Sequence, residues 1–387
     1  MTGRNIPFRK IGLLSVMGFA LAGSGLFGAG GSILQGLSTI TSIASTVPAI
    51  GDVNPYGVAQ VKATTGNLVA GDILVSNFNN AANLQGTGTT IVQVAADGSV
   101  SLFAEIHANT LPGPCPGGVG LTTALVVLQS GWVIVGSLPT TDGMSDTIGA
   151  GCLIVLNSKG SPVETFSGNM INGPWDMTVD ESGQNPALFV TNVLNGTVAA
   201  GGGIVNEGTV LRIDLTVSQN TMPAVKATTI VGSGFPERTD PAALVIGPTG
   251  VGLSPACPDG GDNCASPVPA DARVLYVADS LENRIAVIPQ ALTRTTSGNI
   301  GTTLSEGNGL NDPLGLTVVP NGNILTVNGN NGFITEFTPD GRRIAIRLLD
   351  HTSAPSPGNG TLFGLVFDPD LGVVFVDDGS NTLNLLH

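Results

Sequence analysis

Five short strands of this sequence end in a carboxamide or a carboxylate, at Asn77, Asn192, Asp279, Asn328 and Asp378, and a sixth ends in the hydroxyl of Ser137. A ring of such groups offers hard oxygen donors of the kind that calcium or another divalent cation takes, with Asp279 and Asp378 as the charged ligands. Each corner also has a use without any ligand. Asn, Asp and Ser side chains bond nearby backbone, and Asn and Asp tolerate left-handed dihedrals, which a repeated turn needs. Tyr56, Trp175, Asp176 and Asp312 belong to the neighbouring connections. The two tryptophans, Trp132 and Trp175, are of a type that stacks on sugars or fills the core between repeated units. A hydrolytic or lyase site would require several of Asp176, Asp279, Asp312 and Asp378 to converge on one metal ion, which would polarise a carbonyl and activate water.

Other chemistries find less support. His107 and His351, with Glu105 or Asp350, are of the types that hold a transition metal, but they have no signature spacing. No Gly-x-Ser-x-Gly elbow is present, and Gly86-Thr87-Gly88 and Gly201-Gly202-Gly203 lack the strand-to-helix setting of a phosphate loop. The four cysteines are Cys115, Cys152, Cys257 and Cys264. Cys257 and Cys264 bracket a short turn-rich loop, which pairs them with each other and leaves Cys115 for Cys152.

The elements that carry these residues repeat. Ile73–Asn77, Val133–Ser137, Leu188–Asn192, Leu275–Asp279, Ile324–Asn328 and Val374–Asp378 are short β-branched or aromatic strands that stop at the polar corner. Most are preceded by an apolar strand with a common start: Pro55-Tyr56-Gly57, Pro174-Trp175-Asp176, Pro248-Thr249-Gly250, Pro313-Leu314-Gly315 and Leu362-Phe363-Gly364. A third strand and an Asp-Gly hairpin follow, as at Asp97-Gly98 and Asp340-Gly341. Four antiparallel strands repeated around a centre make a propeller blade, so the expected fold is all-β, a six-bladed β-propeller. In a propeller the corners and the lead-ins to the first strands share one face, where the channel opens. The long interval from Asn192 to Asp279 has room for a seventh blade, but strands near 209–215 and 227–231 and the cysteine loop use it up. The last unit runs out of chain after three strands. Its fourth is expected from the alternating segment Leu37–Ile43, upstream of the first blade, which would close the ring and remove its open edges.

Composition agrees with a β-rich protein: 42% hydrophobic, 11% charged, with 55 glycines among 387 residues. The net charge of −14 repels phosphate backbones and disfavours nucleic acid as a partner. Arg4, Arg9 and Lys10 precede the apolar run Ile11–Ala20 and the small-residue site Ala20-Leu21-Ala22, the order of a secretory signal cleaved after Ala22. The expected organisation is a signal peptide at 1–22, a flexible mature N-terminus at 23–32 and one propeller domain at 33–387. The protein would be secreted or periplasmic, a monomer, with no membrane span once the signal is removed.

Leu275-Tyr276-Val277-Ala278-Asp279-Ser280-Leu281-Glu282-Asn283-Arg284-Ile285 resembles the NHL repeat, whose strand ends in Asp before Asn-Arg-Ile, and Pro313-Leu314-Gly315-Leu316 resembles the repeat's opening. Such propellers resemble in fold the gluconolactonase and senescence-marker-protein family, strictosidine synthase-like proteins and peptidyl-hydroxyglycine lyases. Asn172-Gly173-Pro174-Trp175-Asp176 is similar to the Glu-Gly-Pro opening of the gluconolactonase family, with Asn172 where that family's resemblance implies a metal-ligating glutamate. The functional expectation is a binding propeller whose channel face takes a small molecule, a glycan or a protein. The alternative is a metal-dependent hydrolase or lyase at the channel mouth.

Overall fold

The chain lays down one antiparallel sheet after another, each short strand turning directly into the next. The computed structural model describes residues 31–168, 170–183, 185–218, 221–241, 243–257, 267–352 and 358–387. The expected signal segment, residues 1–22, and Cys264, the expected partner of Cys257, lie outside the described residues. A leading strand, β1 (Ile40–Ser45), precedes blade 1, which is β2 (Val53–Gln60), β3 (Ile73–Asn79), β4 (Thr90–Val94) and β5 (Val100–Glu105). Blade 2 is β6 (Leu121–Val127), β7 (Val133–Ser137), β8 (Cys152–Leu156) and β9 (Pro162–Phe166). Blade 3 has five strands: β10 (Pro174–Asp180), β11 (Ala187–Asn192), the long β12 (Val205–Ser218) and β13 (Thr221–Asp240), and β14 (Leu244–Ile246). Blade 4 is β15 (Pro248–Leu253), β16 (Leu275–Asp279), β17 (Arg284–Ile288) and β18 (Thr302–Glu306); blade 5 is β19 (Pro313–Val318), β20 (Ile324–Asn328), β21 (Phe333–Phe337) and β22 (Arg343–Leu348). Blade 6 is β23 (Leu362–Asp368), β24 (Gly372–Asp377) and β25 (Thr382–Leu386) with β1 as its outer strand. The result is an all-β, six-bladed propeller.

The interval between Asn192 and Asp279 goes into the lengthened β12–β13 ribbon and the added β14, and the described part of it forms no seventh sheet. At the closure, β1 runs antiparallel to β25 from Ile40 opposite Leu386 to Ser45 opposite Thr382. The paired strand lies slightly downstream of the expected Leu37–Ile43. The reason is that Ile33, Leu34 and Leu37 are buried elsewhere, against blades 5 and 6. Their backbone is held by Glu336 of β21, which is fully buried and accepts from the amides of Ile33 (2.9 Å) and Leu34 (3.0 Å), the Ser32 hydroxyl (2.6 Å) and the Asn323 amide (2.7 Å). Cys115, ahead of β6, is bonded to Cys152 of β8, with Cα atoms 5.2 Å apart.

The repeated Pro-x-Gly start now has a physical reason. In every blade the register of the innermost strand slips just after its first residues: after Pro55, Leu121, Pro174, Pro248, Pro313 and Leu362. Each slip is a bulge, which bends the strand and re-aims side chains at the channel. The bulge glycines sit where adjacent blades approach most closely: a Cβ on Gly315 would run into the Phe363 carbonyl, and one on Gly364 into the Tyr56 carbonyl.

Candidate functional site

The corner side chains are spent close to home. Asn77 donates to the Thr46 carbonyl (3.0 Å) and the Thr90 hydroxyl (3.2 Å). Ser137 accepts from the Gly120 amide and donates to the Gly118 carbonyl, both at 3.0 Å. Asn192 accepts from the amides of Asn172 and Gly173, and Asn328 accepts from the Asn311 amide while donating to the Gly309 carbonyl. In the last three cases the corner grips the backbone leading into its own blade. Asp279 is fully buried against Arg284, whose Nε and Nη2 both lie 2.9 Å from Oδ2. Burial raises its pKa to about 6, against the opposing pull of that guanidinium. Asp378, at the mouth, is pushed up to about 7 by burial and then by Asp377.

The bulges fill the channel mouth with apolar groups. Tyr56, Trp175, Leu314 and Phe363, each from a different innermost strand, join Phe78, Leu138 and Val193 in one buried cluster. The Tyr56 ring stacks between Phe78 (centroids 4.3 Å) and Phe363 (3.8 Å). Burial, with Asp378 and Asp240 nearby, holds the Tyr56 hydroxyl well above its usual pKa. Leu244 and Val245, at the start of β14, complete the cluster. There Val245 N bonds Ala243 O at 2.8 Å around Leu244, whose φ is +63°. A three-residue turn of that hand is rare and strained for a branched side chain. Beneath the cluster, a cavity of about 230 Å³ opens at the opposite end, lined by the later parts of the innermost strands, among them Gln60, Lys62, Asp176 and Val251. Asp176 accepts from the Val251 amide at 3.0 Å and is raised by burial to about 7.

The accessible site on the corner face therefore lies off the axis. A cavity of about 220 Å³ sits over blades 4 to 6, walled on the blade 3 side by the end of β13, Ala243 and Ile246 of β14. Arg238, Asp240, Asn283, Asn311, Asp312 and Asn330 are in its lining, with Asn359 and Phe363 from blade 6. Arg238 Nη2 lies 2.7 Å from Asp240 Oδ2, and its Nη1 donates to the Thr239 carbonyl at 3.1 Å. The Asp312 amide donates to Asn283 Oδ1 at 2.6 Å, which fixes the lead-in of blade 5 to the corner of blade 4. Asp312 Oδ1 is buried with no hydrogen-bond partner. Burial first, then the Asp240 charge, push the Asp312 carboxyl up to about 7, while Arg238 and Ser280 pull it back.

Of the residues singled out in the sequence, Asp312 lines this cavity, Asn328 supports it through Asn311, and Asp279 lies one residue before Ser280 in its wall. Trp175 belongs to the mouth cluster and Asp176 to the cavity at the other end. Arg238 and Asp240 were not anticipated. Their only sequence signal is charge density, with Glu237, Arg238 and Asp240 falling within four positions of a chain that is 11% charged. Among the described residues no three His, Cys, Asp or Glu side chains come together as a metal would need. Asn172, at the position of the implied metal-ligating glutamate, instead donates its amide to Asn195 Oδ1 at 2.5 Å. That donor set does not fit a divalent metal held as the resemblance implies. His107 pairs with Glu105 at 3.2 Å, and Asp350 accepts from Thr352 and Thr361.

No known protein family matches the sequence, and no curated protein is similar to it. Solved structures are similar in shape. A gluconolactonase from Xanthomonas campestris superposes with a TM-score of 0.51 at 14% identity, over 90% of this chain and 88% of its own. Regucalcin, a calcium-binding protein from Agrobacterium tumefaciens, gives 0.52 at 13% identity over 89% and 93%. A luciferin-regenerating enzyme gives 0.52 at 10% identity over 89% and 94%. At such identities the likeness establishes architecture alone: this chain is a six-bladed β-propeller of the shape those proteins share.

Proposed function

We propose that this protein is an exported binding propeller that takes a small, polar, hydroxyl-rich molecule, of the size of one sugar unit, in the cavity over blades 4 to 6. The observation that carries this reading is the lining of that cavity, where the Asp312 carboxyl stands among the side-chain amides of Asn283, Asn311, Asn330 and Asn359. The surrounding side-chain amides supply both donors and acceptors for hydroxyl groups, and the Phe363 ring supplies an apolar surface. A cavity of about 220 Å³ suits a small molecule rather than the surface of a protein. The Cys115–Cys152 bond and the charged, apolar and small-residue order of residues 4–22 support export to an oxidising compartment.

The test is a thermal-shift panel of monosaccharides, polyols and amino sugars on the mature protein. At least one compound is expected to raise the melting temperature of the wild type by several degrees and to leave Asp312→Leu unmoved. Equal shifts in both proteins, or none in either, would refute the assignment. A second reading, hydrolysis of a carbonyl substrate in the same cavity, rests on the Asp312 carboxyl titrating at about 7 beside Arg238, since a general acid or base works best near the ambient pH. It requires turnover that Asp312→Asn abolishes.

A further inference from the structure

Within the cavity over blades 4 to 6, we infer that the recognised molecule carries a positive charge: a hydroxylated amine whose ammonium group pairs with Asp312. The inference rests on the binding reading above and narrows it.

Three observations lead to it. The lining holds two carboxylates, Asp240 and Asp312, against one basic side chain, Arg238, so with both acids ionised the wall carries a net charge of −1. The guanidinium is already committed, at 2.7 Å to Asp240 and 3.1 Å to the Thr239 carbonyl, which leaves Asp312 the carboxylate without a full counter-charge. The backbone around it is fixed, because the Asp312 amide is held by Asn283 and its carbonyl accepts from the Gly329 amide at 2.7 Å. A carboxylate in the cavity lining, positioned in this way and short of a counter-charge, selects a charged donor over a neutral one, since charge-assisted hydrogen bonds are roughly twice as strong as neutral ones. An anion meets the opposite condition in a chain whose net charge is −14. Asn330 and Asn359 lie across the same cavity, where hydroxyl groups of the ligand would reach them.

Calorimetric titration of the mature protein at about pH 8 separates the alternatives. Glucamine, sorbitol and gluconate share one hydroxylated chain and end in an ammonium, a hydroxyl and a carboxylate. Glucamine is expected to bind at least about tenfold more tightly than sorbitol, and gluconate more weakly than either. Asp312→Asn should remove the preference for glucamine over sorbitol. Arg238→Gln, which removes the competing cation, should strengthen glucamine binding, so the idea does not depend on one variant folding. Equal affinities for glucamine and sorbitol, or a preference for gluconate, would overturn the amine assignment while leaving the binding reading intact. An absence of heat from all three would remove both.

Discussion

Burial holds the carboxyls of Asp176, Asp312 and Asp378 at about 7 and that of Glu237 at about 8, against about 4 for such groups in an unfolded chain. Backbone amides offset part of the desolvation, those of Val251 and Met177 at Asp176 and that of Asn195 at Glu237. Between pH 4 and 7 the folded chain therefore keeps protons that the unfolded chain has released, and stability falls as pH rises through that interval. Their stabilising contribution is fully present below about 4 and is lost as each group ionises in the fold. The exposed acids with lowered values, Asp97, Asp142 and Asp340, act in the opposite sense but below that window. The melting temperature is thus expected to be several degrees higher at pH 5 than at pH 8, and Asp176→Asn should flatten the slope. Scanning calorimetry across a pH series checks this, and a melting temperature that climbs toward pH 8 would contradict the assigned protonation. Asp312 was visible in the sequence as a polar lead-in residue. Its unpaired oxygen was not, because burial depends on the fold around it.

At the scale of the element, each blade is one supersecondary unit whose innermost strand is bent by a bulge, and in blades 2, 3 and 5 the second strand ends in a side chain that grips the same blade's lead-in. Both devices were legible as spacing, since Pro-x-Gly and the strand-ending Asn or Asp recur. Their purpose was less so: a periodic polar corner reads equally as a ligand ring or as a turn clamp, and only the partners of Asn77, Ser137, Asn192 and Asn328 show where those side chains are spent. The β13–β14 connection was hidden for a different reason. Its residues break the four-strand period, and the left-handed turn at Leu244 has no glycine to announce it. The closing strand was found within a few residues, but the segment just before it was not expected to dock on Glu336. Deleting residues 33–46 removes β1 and exposes the buried Glu336 carboxylate together with the surface under Ile33, Leu34 and Leu37. Each lost apolar side chain is worth about 1.5–3 kcal/mol, so the melting temperature should fall by about 10 °C or more. An unchanged transition would show that the ring holds without this strand.

For the whole molecule, a propeller offers two mouths and a channel, and here the two ends differ. The corner face is sealed on its axis by Tyr56, Trp175, Leu314 and Phe363 and keeps an acidic, amide-rich cavity to one side. The opposite mouth leads to the cavity that contains Asp176. Architecture followed from the repeat. The choice of site did not, because it is set by which bulge residues are large enough to close the axis and by an irregular wall contributed by blade 3. The most direct measurement is a crystal structure of the protein soaked with glucamine. Expected is ordered density over blades 4 to 6, with the ammonium on Asp312 and hydroxyl groups on Asn330 or Asn359. Density instead at the opposite mouth beside Lys62 and Asp176, or along the axis in place of the Tyr56 and Phe363 rings, would contradict the assignment of the site.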